Sequence, residues 1–278
     1  MGTRLASELR RRHEPAVLVT VVEARGSTPR EAGVRMVVSA AEVQGTIGGG
    51  RLEWDAIRRA RELLGTGEPE AEMAVPLGPA VGQCCGGHVH LHLERVTPAV
   101  VAAVEAVERA ELQRRQPVLL FGAGHVGQAV ATALAPLPFA VRWIDGRAEA
   151  FPASAPENAT VVVSTRQVAE VEAAPAGAAC LVLTHSHALD FEICAAALER
   201  GDFAYIGLIG SATKRARFER GFRELGIAGE RIAGLVCPIG SRAVRDKRPE
   251  VIAALVAAEL LTTLAAVPAR TSKLAEVG

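Results

Sequence analysis

The sequence predicts an α/β protein with two parts: a C-terminal Rossmann-like domain built on a parallel sheet, and a smaller N-terminal α+β domain. Three observations predict it. From Pro117 onward, apolar strand-like runs alternate with helix-patterned segments, as in a doubly wound parallel sheet. The first of those runs leads directly into Gly122-Ala123-Gly124-His125-Val126-Gly127, a G-x-G-x-x-G turn. Before residue 115 the strand and helix patterns do not alternate regularly, and glycine-rich loops punctuate them. A chain of 278 residues has room for two domains, and the expected bounds are 1–115 and 116–278.

Composition narrows the function. Lys plus Arg and Asp plus Glu both number 31, so the net charge is zero. That argues against a dedicated nucleic-acid or anionic-membrane binder, which carries a basic excess. The first residues, Met1 to Glu14, are charged and lack the apolar core of a signal peptide. Val251 to Val267 is apolar but interrupted by Glu259, and is expected as a buried helix rather than a membrane span. Five cysteines without a spaced framework point to reduced thiols and a cytoplasmic location.

In the N-terminal part, Pro15 to Glu23 is a continuous apolar run closed by Gly26-Ser27-Thr28-Pro29, the pattern of a buried strand. Val34 to Ser39 and Val43 to Ile47 are expected as the next two strands. After Gly48-Gly49-Gly50, the residues Leu52, Ala56, Ile57, Ala60, Leu63 and Leu64 recur at helical spacing. Ala71 to Pro76 suits another strand. Next comes Gly82-Gln83-Cys84-Cys85-Gly86-Gly87, two adjacent thiols framed by glycine. Such a loop can present a reactive thiolate, or it can be two small residues packing a tight turn. His88, His90 and His92 alternate with Val89, Leu91 and Leu93. Parallel side chains two residues apart rarely converge on one ion, so a half-buried strand with the histidines outward is favoured over a metal site. Pro98 to Arg115 is helical in pattern.

In the C-terminal part, strands are expected at Pro117–Phe121, Ala140–Asp145, 160–164, 180–184 and Tyr205–Ile209. A helix is expected over Gly122–Ala135. Within the fingerprint, Gly122 permits the tight turn, Gly124 the approach of a pyrophosphate, and Gly127 close helix–strand packing. His125 opens the helix whose amides would meet the phosphate. Asp145 ends the next strand, where an acid binds ribose hydroxyls. Thr184-His185-Ser186-His187 follows a strand end, so His185 and His187 are candidates to contact a ligand or carry a proton, or else to order the loop. Ser211 is expected to cap a helix carrying Lys214, Arg215 and Arg217. There an anion site and a solvated charged face fit equally well.

Taken together, these segments resemble the XdhC family, the accessory proteins that mature xanthine dehydrogenase. The matching stretches are Arg25-Gly26-Ser27-Thr28-Pro29-Arg30 with Gly33 and Met36, Gly45-Thr46-Ile47-Gly48-Gly49-Gly50 with Glu53, and the Cys84-Cys85 motif. In the second half they are Phe121 to Gly127, Asp145-Gly146-Arg147, Thr184 to Asp190, Tyr205 to Phe218, and Cys237-Pro238-Ile239-Gly240. Ser241-Arg242-Ala243-Val244 departs from the family pattern, which is more apolar and contains glycine.

The resemblance implies a maturation factor rather than an enzyme. Its cargo would be the molybdenum cofactor, a molybdopterin. Its partners would be a cysteine desulfurase, which supplies the terminal sulfur, and apo-xanthine dehydrogenase, which receives the cofactor. A homodimer is also implied. Gly48, Gly49, Gly50, Gly86 and Gly87 are candidates to bring backbone amides onto the phosphate or pterin. Cys84 or Cys85 is the candidate to contact molybdenum or hold sulfur, and Arg25 or Arg30 to pair with phosphate or lower a thiol pKa. Gly122, Gly124, His125, Gly127, Asp145, His185 and His187 would hold part of the cofactor or a separate nucleotide. An NAD(P)-dependent oxidoreductase and a nucleotide-sensing module remain the alternatives, supported by the fingerprint alone.

Overall fold

The computed structural model describes residues 5–77, 86–240, 244 and 246–265. Cys84 and Cys85, and most of the departing stretch at 241–244, lie outside the described residues. The chain divides into two compact units, Met1–Gln113 and Arg114–Gly278.

The first unit is an antiparallel sheet between helices. Its elements are α1 (Leu5–Arg11), β1 (Ala16–Arg25), β2 (Arg35–Ser39), β3 (Val43–Gly45), α2 (Gly50–Thr66), β4 (Glu70–Pro76), β5 (His88–Arg95) and α3 (Pro98–Arg114). The strand order is β3-β2-β1-β5-β4. The apolar face of α2, with Leu52, Ala56, Ala60 and Leu63, buries Val17, Val19, Met36, Val38, Leu91 and Leu93. The alternate residues Ala16, Leu18 and Val37 pack with Ala6 and Leu9 of α1 and Val101 and Val104 of α3. Both faces of β1 are therefore covered, which is why its sequence is continuously apolar rather than alternating. On β5 only Val89, Leu91 and Leu93 are buried. The histidines between them are half-buried, and His92 Nδ1 lies 2.7 Å from Glu72 Oε1 across the β4–β5 pair. Among the described residues, no group of three or more His, Cys, Asp or Glu is placed to hold a metal ion.

The second unit is the expected parallel sheet. It contains β6 (Gln116–Phe121), α4 (His125–Leu134), β7 (Phe139–Asp145), β8 (Ala159–Val163), α5 (Gln167–Glu172), β9 (Ala179–Val182), α6 (His187–Arg200), β10 (Tyr205–Leu208), α7 (Ala212–Glu224), α8 (Gly229–Ala233), β11 (Leu235–Val236) and α9 (Pro249–Ala265). The strand order is β11-β10-β9-β6-β7-β8, and every pair is parallel. Counted from β6 this is the 3-2-1-4-5-6 order of a doubly wound sheet, whose direction reverses between β6 and β9. Ligands in such sheets bind at the carboxyl ends of the strands at that reversal. Helices α4 and α9 cover one face, and α6, α7 and α8 the other. The apolar segment around Glu259 is α9, with Ala253, Val256, Ala257 and Leu260 buried. Glu259 lies within α9, and its carboxylate accepts the Gly240 amide. Among the described residues no helix is long and apolar enough to cross a membrane.

One buried ion pair fixes the carboxyl edge of this sheet. Lys214 Nζ, on α7, lies 2.6 Å from Asp190 Oδ2 on α6 and 3.0 Å from the Ile209 carbonyl. Asp190 Oδ1 accepts the Thr184 amide at 3.0 Å and the Thr184 hydroxyl at 2.7 Å. The loops after β9 and β10 are thus tied together. Ser211 caps α7 as expected, accepting the Lys214 amide at 3.2 Å, and Ser186 caps α6. Arg215 is partly buried, pairing with Glu219 one turn along the same helix and donating to the Cys237 carbonyl at 3.4 Å. Replacing Lys214 by Met leaves Asp190, whose side chain is 2% exposed, charged and without its cation. Urea unfolding should show a loss of roughly 3–5 kcal/mol. A loss under about 1 kcal/mol would mean the pair behaves as a surface bridge.

Candidate functional site

The first unit gathers three motifs, far apart in sequence, at one edge of its sheet. Gly87 lies against the 25–28 loop: a Cβ there would stand 2.5 Å from the Ser27 carbonyl oxygen and 2.6 Å from that of Arg25. Gly48 lies against Pro29 of the same loop, where a Cβ would meet Pro29 Cγ at 2.6 Å. Gly48, Gly49 and Gly50 have φ of 132°, 77° and 64°, a run of left-handed conformations that only glycine adopts readily. This run delivers the chain into α2. Packing against the Pro29 ring at Gly48, and against the Arg25 and Ser27 carbonyls at Gly87, makes glycine necessary at both. Gly49 and Gly86 are different, for a Cβ at either would meet nothing within 4 Å.

Glu53, in the first turn of α2, organises the triple-glycine loop. Its Oε2 accepts the Thr46 hydroxyl at 2.5 Å, the Ile47 amide at 3.2 Å and the Gly49 amide at 3.1 Å. The Gly48 amide is bound to Thr46 Oγ1 at 3.2 Å. Two of the amides expected to face a phosphate, those of Gly48 and Gly49, therefore hold the loop itself. The Gly50 amide, at the start of α2, has no intrahelical partner. The arginines also separate. Arg25 is exposed and lies 2.6 Å from Glu23, whereas Arg30 is exposed and its Cγ would lie 3.6 Å from a Cβ on Gly48. Of the two, Arg30 is the cation beside the triple-glycine loop.

The second unit places its fingerprint at the reversal between β6 and β9. Gly122 has φ 111° and a Cβ there would stand 2.2 Å from the Leu183 carbonyl oxygen. At Gly127 a Cβ would stand 2.0 Å from the Gly122 carbonyl oxygen. These two glycines are the turn and the helix–strand contact that the motif predicts. Gly124 has an ordinary φ of −71° and open space where a Cβ would go. Neither packing nor conformation demands glycine there. No side chain caps α4 at Gly124, so the amides at its start are left for an anion. His125 is exposed beside them, and His185 and His187 are exposed on the loop after the adjacent strand β9.

Asp145 takes a different part from the one its position predicts. Its carboxylate accepts the Ala123 amide at 2.8 Å, the Arg147 amide at 3.0 Å, and Arg147 Nε and Nη2 at 3.0 Å each. Burial pushes this carboxyl up, but the bonds from Arg147 and the two amides outweigh it and hold the pKa below the usual carboxylate range. Asp145 ties the fingerprint turn to the end of β7, and ribose hydroxyls find no unused acceptor on it. The proximity of Arg147 was legible in the sequence as Asp145-Gly146-Arg147; its bidentate closure on the carboxylate was not.

The described cysteines Cys180, Cys194 and Cys237 are buried. Burial pushes the thiols of Cys180 and Cys194 well above their ordinary range, so both stay protonated and inert.

A family model for the XdhC Rossmann domain matches residues 118–260, just over half of the chain, and one for the XdhC and CoxI family matches residues 9–75. The chain belongs to the XdhC family. It is 31% identical over 260 residues to YqeB of Escherichia coli K12, an uncharacterized protein, across 92% of this chain and 45% of YqeB. This XdhC-family chain thus spans less than half the length of that relative. A Bacillus halodurans crystal structure described as a xanthine dehydrogenase shares the fold, with a TM-score of 0.76 over 97% of both chains at 18% identity.

The three fingerprint glycines of this family member should separate on substitution. Gly122→Ala and Gly127→Ala each force a Cβ into a carbonyl oxygen and should cost several kcal/mol in chemical denaturation, on the order of 3 or more. Gly124→Ala should change stability by no more than about 0.5 kcal/mol while abolishing anion or nucleotide binding measured by calorimetry.

Proposed function

We propose that this XdhC-family protein is a molybdenum cofactor chaperone. It binds molybdopterin, holds it away from water while a cysteine desulfurase supplies the terminal sulfur, and passes the sulfurated cofactor to apo-xanthine dehydrogenase. The observation that carries this reading is the convergence of Gly26–Thr28, Gly48–Gly50 and Gly86–Gly87 on one edge of the first unit. A flat pterin with a terminal phosphate needs bare backbone and a cation. Gly49 and Gly86 offer the bare backbone, the Gly50 amide a donor at a helix start, and Arg30 a guanidinium suited to phosphate oxygens.

The thiol chemistry falls to the motif that adjoins Gly86. Cys180, Cys194 and Cys237 are buried; in this reading Cys84 or Cys85, the pair that the family resemblance points to, contacts molybdenum or holds sulfur as a thiolate. A chaperone must also release its cargo, so binding is moderate and partner docking weakens it. In the second unit, open space at Gly124 supports a separate nucleotide site at the start of α4.

Protein purified from cells that make the cofactor should carry pterin, read as fluorescence after oxidation, together with molybdenum. Cys84→Ala or Cys85→Ala should lower the metal content or the transfer to apo-xanthine dehydrogenase. Wild-type protein without pterin would remove the cargo from this account. Undiminished binding and transfer in both variants would remove the thiols from it.

A further inference from the structure

A Rossmann unit recognises the ribose of its nucleotide at the end of its second strand. A free carboxylate there takes the ribose hydroxyls, and a nearby arginine takes a ribose phosphate. At the end of β7 the carboxylate is not free. Asp145 is 2% exposed in its side chain, and its two oxygens already accept four protein donors, which fills the acceptor positions of a carboxylate. A ribose hydroxyl could bind it only by displacing a charge-assisted bond. Arg147 has the opposite character. Its side chain is 41% exposed, and only Nε and one proton of Nη2 are engaged, leaving three of its N–H groups for an anion.

A second observation lies on the other side of the same turn. Gln167, at the start of α5, is 5% exposed, and its Oε1 is buried without a partner. Its Nε2 would lie 3.8 Å from a Cβ on Gly146, the residue between Asp145 and Arg147. Buried side-chain acceptors normally have a donor. Gln167 also lines a cavity of about 240 Å³ with Thr165, Arg166 and Leu189, between the first turns of α5 and α6. Sites that enclose a whole small ligand run to roughly 300–1,000 Å³, so this recess suits a base rather than a complete dinucleotide.

We infer that the second unit takes a nucleotide carrying a phosphate monoester on its ribose. That phosphate meets Arg147, the diphosphate meets the free amides at the start of α4, and the base enters the recess beside Gln167. The inference rests on the reading of the fingerprint as a nucleotide site. The same ribose phosphate occurs at the 2′ position in NADP and at the 3′ position in coenzyme A, and the two are told apart by titration.

Calorimetry of the full chain with ADP, NAD, NADP, dephospho-coenzyme A and coenzyme A tests it. NADP should bind at least about tenfold more tightly than NAD, or coenzyme A than dephospho-coenzyme A, the margin of one charged hydrogen-bonded pair. Arg147→Gln should erase that margin and leave ADP affinity within about twofold, by the same reasoning. Arg147→Lys, which keeps the cation and loses the fork, should keep a smaller margin and carries the test should Arg147→Gln not fold. Equal affinities across both pairs overturn the ribose-phosphate inference while leaving a nucleotide site. A margin that survives in folded Arg147→Gln overturns it too. Binding of none of the five overturns both the inference and the nucleotide reading beneath it.

Discussion

Close backbone contact, possible only where a Cβ is missing, is the constraint on which both units depend. In the second unit the carbonyl oxygens of Leu183 and Gly122 occupy the space that side chains on Gly122 and Gly127 would need. That contact sets the fingerprint turn against the adjacent strand and brings the start of α4 to the reversal of the sheet. In the first unit the same constraint acts at Gly87 against the carbonyls of Arg25 and Ser27, while the missing Cβ of Gly48 makes room for the Pro29 ring. Motifs separated by tens of residues meet because their backbones can touch.

Each cluster has a carboxylate behind it. Glu53 gathers Thr46, Ile47 and Gly49, and Asp145 gathers Ala123 and Arg147. A buried amide without an acceptor is costly, so these acids let glycine-rich loops hold one shape. The consequence for ligand binding is selective. Amides that a carboxylate already holds are not available to an anion; the ones without such a partner are the Gly50 amide in the first unit and those at the start of α4 in the second. At the end of β7 the same accounting leaves Asp145 with its acceptors filled and Arg147 as the exposed charge.

Much of this was legible in the sequence. The parallel sheet and the fingerprint turn follow from apolar runs that alternate with helical patterns, because strands covered on both faces cannot hide their composition. The strand of alternating histidines was legible for the same reason, since Val89, Leu91 and Leu93 share one face. Short elements were not. The helix α1 and the two-residue strand β11 carry too few residues for a period to show. The predicted helix 122–135 begins instead at His125, because residues 122–124 form the turn, with Gly122 at φ 111°. In the site, the candidate glycines could be named but not sorted, for only the packing separates Gly122 and Gly127 from Gly124, or Gly48 from Gly49. The saturation of Asp145 needed side-chain geometry that no spacing encodes.

Hydrogen exchange with and without bound molybdopterin tests the central claim most directly. The account predicts slowed exchange in peptides covering residues 25–33 and 45–53, with residues 122–127 unchanged by the pterin. Protection confined to residues 122–127 and 184–190, with the first unit unaffected, would contradict it and move the cargo to the Rossmann unit.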